Sequence, residues 1–236
     1  MPFAQYLVDI AICLRRLTWL KLPGDAAEEG RPFAESCWAY PVVGAGIGGA
    51  AAVAFLAADE LGLAPSVAAV VALAASLAVT GAAPERALAR VAGSLVASSA
   101  AEWNAIVLAL AVVLKAAAIA QAAHAGPVGG ILIGTAAIAY ACQIAALHAA
   151  PDGEGDVDSD AKPALGPVGI ALGVGAAISL IVMAEGWLAA VILAGVATGG
   201  IVYAARRPGA AAAAAALPAV LALAEILALL AVVASR

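Results

Sequence analysis

Two charged residues stand where the chain is otherwise apolar. Lys115 lies inside the run Ala105 to Ala123, and Glu225 lies inside the run Ala210 to Val233. An isolated charge at such a position costs at least ~2.5–3.5 kcal/mol on insertion scales, so each is a neutralising partner for the other. Counted from the cytoplasmic ends of their spans at about 1.5 Å per residue, Lys115 is about 15 Å deep and Glu225 about 22 Å. A lysine side chain can cover much of that difference, and a Lys115–Glu225 pair is expected. The competing readings are a Lys115 that snorkels outward and a Glu225 that is protonated. A second charged island is Val79 to Leu95, VTGAAPERALARVAGSL, with Glu85, Arg86 and Arg90. Pro84 suits the first turn of a helix, where its missing N–H costs nothing. Leu88, Val91 and Leu95 fall on one apolar face, and Arg86 and Arg90 form a basic strip on another. This pattern predicts a short helix from Pro84 to Leu95 lying at a membrane surface, its strip either a topology determinant with no ligand or suited to anionic headgroups or a phosphate-bearing ligand.

The other polar residues carry less. Asp152, Glu154, Asp156, Asp158 and Asp160 alternate in one loop and could attract a divalent cation. They do not make an EF-hand, because Ala161 and Pro167 stand where the glycine and the closing Glu are needed. The loop reads as solvated. His124 and His148 stand alone at span ends and read as interfacial caps. Cys13, Cys37 and Cys142 have no metal-ligand spacing and read as buried thiols. Glu102 and Asn104 fit a helix start or a pocket rim. No nucleophile–base set, phosphate-cradling glycine loop or zinc spacing can be assembled.

The elements that position these groups follow from composition. Of 236 residues, 65% are hydrophobic and 11% charged, and the mean hydropathy is +1.06. Apolar runs of about 18 residues or more recur, each long enough to cross a ~30 Å hydrocarbon core. They are continuous rather than alternating, which excludes a membrane β-barrel. Met1 to Leu20 is interrupted by Asp9, Arg15 and Arg16 and is expected to be an interfacial helix, with no signal peptide; Lys21 to Glu35 is a polar loop. Spans are expected at Pro41–Ala58, Ser66–Ala83, Ala105–Ala123, Val128–Leu147, Leu165–Ala184, Trp187–Ala205 and about Ala210–Val233, the last bent or broken near Pro218. Gly44 with Gly48 and Gly195 with Gly199 make G-x-x-x-G steps that allow close helix approach. Trp38, Tyr40, Trp103, Trp187 and Tyr203 lie near span edges, as an aromatic belt would. The expected fold is therefore all-α: one membrane domain over 1–236, with an interfacial helix and loop over 1–40 and a seven-helix bundle over 41–236.

Seven spans put the N-terminus and the loops after spans two, four and six on one side. That side holds Arg15, Arg16, Lys21, Arg31, Arg86, Arg90, Lys162, Arg206 and Arg207, while the other holds only Arg236. The bias makes the basic side cytoplasmic.

Several segments, taken in order, resemble the cobalamin synthase family, adenosylcobinamide-GDP ribazoletransferase. They are ICLRRLTWLKLP near the N-terminus, CWAYPVVGAGIGG from Cys37, LAVTGAAPERALARVAGSL, LKAAAI from Leu114 and PDGEG from Pro151. The resemblance implies an enzyme of the bacterial inner membrane that joins α-ribazole to GDP-activated cobinamide and releases GMP. It implies Mg²⁺ held by a cytoplasmic acidic motif against the diphosphate. Thr80 and Gly81 match that motif. Pro84 replaces its histidine, and its three aspartates become Arg86, Arg90 and Gly93. Arginines repel a cation. Thr80, Gly81 and Glu85 are thus the only catalytic candidates, and no metal ligand is assigned.

Three functions remain in view. The first is the transferase that the resemblance implies. The second is a non-catalytic interaction or corrinoid-binding protein on the same scaffold. The third is a small transporter with Lys115 and Glu225 on its path. The expected partners are the lipid bilayer and a cobinamide nucleotide, with no nucleic acid.

Overall fold

In a computed structural model the described residues are 3–20, 32–94, 100–125, 127–150, 162–183, 185–205 and 213–235. Among them every regular element is a helix. Four are long and apolar enough to cross a membrane: Phe33–Glu60, Glu102–His124, Val128–Ala149 and Leu165–Met183. A fifth candidate is the pair Pro65–Thr80 and Ala83–Ala92, bent by 89° at its break. Trp187–Tyr203 and Pro218–Ala234 are shorter apolar helices. The described residues thus give four or five candidate spans where the sequence suggests seven. The difference lies at the second span, which breaks, and at the last two helices, whose described apolar stretches are short.

The N-terminal helix α1 (Phe3–Leu17) is amphipathic, with Arg15 and Arg16 in its last turn, where the helix dipole favours cations. By sequence, Asp9 is an interruption that keeps this segment at the surface. Instead Asp9 is buried and fixes the helix in place. It accepts hydrogen bonds from Ser36 Oγ at 2.9 Å and Trp38 Nε1 at 2.7 Å. Those donors belong to α2 (Phe33–Ser36) and to the 3-10 turn Cys37–Ala39. The Arg16 guanidinium lies 4.1 Å over the Phe33 ring. Burial pushes the Cys13 thiol well above the ordinary range, so it is a packing group rather than a nucleophile.

Helix α3 (Tyr40–Glu60) starts with Pro41 in its first turn and packs along α7 (Val128–Ala149), the most buried helix of the bundle. The Gly44–Gly48 step makes this possible. A Cβ on Gly44 would meet the Tyr140 side chain at 2.5 to 2.9 Å, and one on Gly48 would strike the Leu132 carbonyl. Tyr40 is buried between Phe33 and Tyr140, and Trp38 serves Asp9. These two therefore leave the expected aromatic belt, because polar and aromatic partners inside the fold take them up. Trp103 and Tyr203 are exposed.

Helix α4 (Pro65–Thr80) ends where Gly81 (φ +62°) and Ala82 (φ +55°) take left-handed conformations. Glycine does so at little cost, and alanine at roughly 1–2 kcal/mol. The Ala82 N–H returns to the Leu77 carbonyl at 3.0 Å, closing the helix end. The chain then turns into α5 (Ala83–Ser94), which packs between α6 (Ala100–Ala125) and α10 (Ala213–Ala234). Helix α10 continues through Pro218. Helix α8 (Leu165–Met183) packs on α7, with Ser179 Oγ donating to the Gly134 carbonyl at 2.8 Å, and α9 (Trp187–Ala205) packs on α7 and α10. The second G-x-x-x-G step, Gly195 and Gly199 on α9, meets nothing within 4 Å among the described residues.

Candidate functional site

The site forms where α5, α6 and α10 meet. Lys115, from the middle of α6, donates to Glu225 Oε2 of α10 at 2.7 Å and to Glu85 Oε1 of α5 at 3.1 Å. The structure therefore brings Lys115 and Glu225 together, and it adds a third member. The side chains of Lys115 and Glu85 are 3% exposed and that of Glu225 is 13% exposed, so the interaction is sheltered from solvent. At such burial one cation between two carboxylates ties three helices together, because removing the cation leaves two carboxylates facing each other in a poor solvent.

Glu85 is a partner that the sequence does not predict. The sequence puts it on a helix at the membrane surface, and that expectation is corrected. Helix α5 starts at Ala83 and turns Pro84, Glu85, Ala87 and Ala89 inward, with Leu88 and Val91 only half-buried. Small side chains let α5 sit close to α6 and α10, so the buried face is the alanine face rather than the leucine–valine face. Leu95 lies outside the described residues. The signal in the sequence is the acid itself, one carboxylate in a charge-poor stretch, but nothing local points to Lys115, 30 residues away.

The triad opens on a small cavity lined by Gly48, Ser76, Thr80, Pro84, Leu132 and Tyr140, with about 10 Å³ free, room for about one water. Glu85 Oε2 is buried there without a hydrogen-bond partner among the described residues. Thr80 and Gly81, the other candidates, have structural duties. Thr80 Oγ1 donates to the Ser76 carbonyl at 3.0 Å. Gly81 makes the left-handed corner, and its carbonyl accepts from Arg86 Nη2 at 2.5 Å.

The opposite face of α5 is basic and exposed, as its sequence spacing requires. Arg86 and Arg90 line a groove of about 460 Å³ between α5 and α6, with Ala83, Ala89, Asn104 and Leu108. Arg90 Nε donates to the Arg86 carbonyl at 3.4 Å. Gly93 is in α5, and Glu102 is exposed in the first turn of α6.

A divalent metal does not fit these residues. The two carboxylates that converge are already bridged by an ammonium, and Arg86 and Arg90 put guanidinium groups on the exposed face of the same helix. Among the described residues no three His, Cys, Asp or Glu side chains could hold a metal together. The acidic loop 152–160 lies outside the described residues. His124 lies in the last turn of α6, and His148 Nδ1 lies 2.9 Å from the Pro163 carbonyl. The three cysteines are free and buried.

No protein-family model and no solved structure matches the chain. One curated relative does. The chain is 43% identical over 77 residues to an adenosylcobinamide-GDP ribazoletransferase of Mesorhizobium japonicum. The match covers 33% of this chain and 29% of the relative. It supports a resemblance to that family.

Proposed function

We propose that the chain is a membrane protein of late cobalamin assembly that takes a GDP-activated cobinamide as its ligand. The observation that carries this reading is the match to a protein named for adenosylcobinamide-GDP. The order of resembling segments along the chain supports it. On this reading the bundle has seven spans, lies in the bacterial inner membrane and has a cytoplasmic N-terminus. The activity that the resemblance implies is transfer of the cobinamide phosphate to α-ribazole with release of GMP.

The triad favours a second reading, a non-catalytic corrinoid-binding or interaction protein on the same scaffold. Lys115 holds Glu85 and Glu225, and Arg86 and Arg90 stand where an acidic motif would hold Mg²⁺. Transfer needs that cation against the diphosphate, and these side chains give it no seat. One experiment separates the readings. Purified protein is given adenosylcobinamide-GDP and α-ribazole with Mg²⁺, and both binding and GMP release are followed. Binding without GMP release is the expected result. GMP release that depends on Mg²⁺ would establish the transferase and overturn the second reading. No binding of adenosylcobinamide-GDP would overturn the transferase and the corrinoid-binding protein alike, leaving only an interaction protein.

A further inference from the structure

We propose that the groove between α5 and α6 binds a phosphate group through Arg86 and Arg90. The two residues are one helical turn apart, so their guanidinium groups share one face and repel each other. Each is exposed, and each donates to a backbone carbonyl: Arg86 to Gly81 at 2.5 Å, and Arg90 to Arg86 at a long 3.4 Å. Neither meets a carboxylate among the described residues. Glu85, next to Arg86 in the chain, is turned inward and held by Lys115. A guanidinium carries five N–H donors in a planar fork, so most of both forks remains for a ligand. Such forks match phosphate oxygens two at a time.

The groove supplies space and shape. Its volume, about 460 Å³, is within the range of small-ligand sites, about 300–1,000 Å³. Alanines at 83 and 89 keep its floor low, and Asn104 brings an amide to the rim. The ligand chemistry is therefore a phosphate or diphosphate carried on a larger molecule. Two carriers share it, a nucleotide diphosphate and an anionic phospholipid headgroup. The site rests on the function proposed above only for the first carrier. Where the related enzymes are taken to hold a diphosphate through a metal ion, this chain would hold it directly with arginine.

The test uses the full chain in nanodiscs of zwitterionic lipid with EDTA present, titrated with inorganic pyrophosphate and with GDP. Saturable binding without metal is expected. Arg86→Gln with Arg90→Gln should weaken it at least about tenfold, while the Arg→Lys pair keeps part of it. Thermal unfolding checks that the variants fold. Should the Gln pair fail to fold, Arg90→Gln alone gives the same comparison, because its one internal bond is long. In nanodiscs containing phosphatidylglycerol, loss of pyrophosphate binding by competition would identify the headgroup as the carrier. If neither the soluble phosphates nor phosphatidylglycerol responds to loss of the arginines, the site is refuted. If adenosylcobinamide-GDP binds no more tightly than GDP, the cobinamide reading fails while the phosphate site stands.

Discussion

Lys115 is shared between two carboxylates that are not equivalent. With both ionised, the triad has one negative charge too many, and Glu225, the more exposed acid, carries the surplus. This predicts a specific order of losses in detergent unfolding. Lys115→Met leaves two buried carboxylates facing each other and should cost about 3–5 kcal/mol. Glu225→Gln leaves a balanced Lys115–Glu85 pair and should cost much less. The double variant Lys115→Met with Glu225→Leu should stay destabilised, because Glu85 remains alone. Only the triple variant that adds Glu85→Leu should recover. Equal losses for the first two variants would mean that the three groups do not share one charge balance.

The same glycine spacing on two helices gives different consequences. Gly44 faces the Tyr140 ring, whereas Gly46, Gly195 and Gly199 face open space. Gly44→Leu should therefore destabilise by about 1–3 kcal/mol through overpacking. Gly46→Ala should be neutral or stabilise by up to about 1 kcal/mol, since alanine is the better helix former. Thermal unfolding of the two variants checks both, and a similar shift for each would rule out close α3–α7 packing at Gly44. Sequence shows that Gly44–Gly48 and Gly195–Gly199 are alike, but only the neighbouring helix decides which step is filled. The helical class, most helix positions and the meeting of Lys115 with a distant acid are legible in the sequence, because burying charge in an apolar run is costly wherever the run lies. The corner at Gly81 is not. Its glycine and the following Pro84 signal an interruption, yet the 89° turn depends on α6 and α10 receiving α5. Sequence misplaces Glu85 for that reason, and Asp9 for a similar one: its donors arrive from residues 36 and 38.

At the scale of the whole molecule the proposed seven spans and cytoplasmic N-terminus predict an orientation. With the native thiols replaced, Glu154→Cys and Ser235→Cys should be labelled from opposite sides of the membrane by an impermeant reagent, as seven spans require. Labelling from the same side would mean an even number of crossings. The wiring of the triad also orders how the protein is made. Glu85 and Lys115 are 30 residues apart, but Glu225 follows Lys115 by 110. At about 5–20 residues per second, a ribosome delivers the last acid roughly 5–20 s after the lysine. During that interval the nascent bundle holds a neutral Glu85–Lys115 pair with the slot for α10 unfilled. The final helix then brings in the surplus charge and completes the wall, so a chain halted before α10 leaves a neutral ion pair facing an open seam.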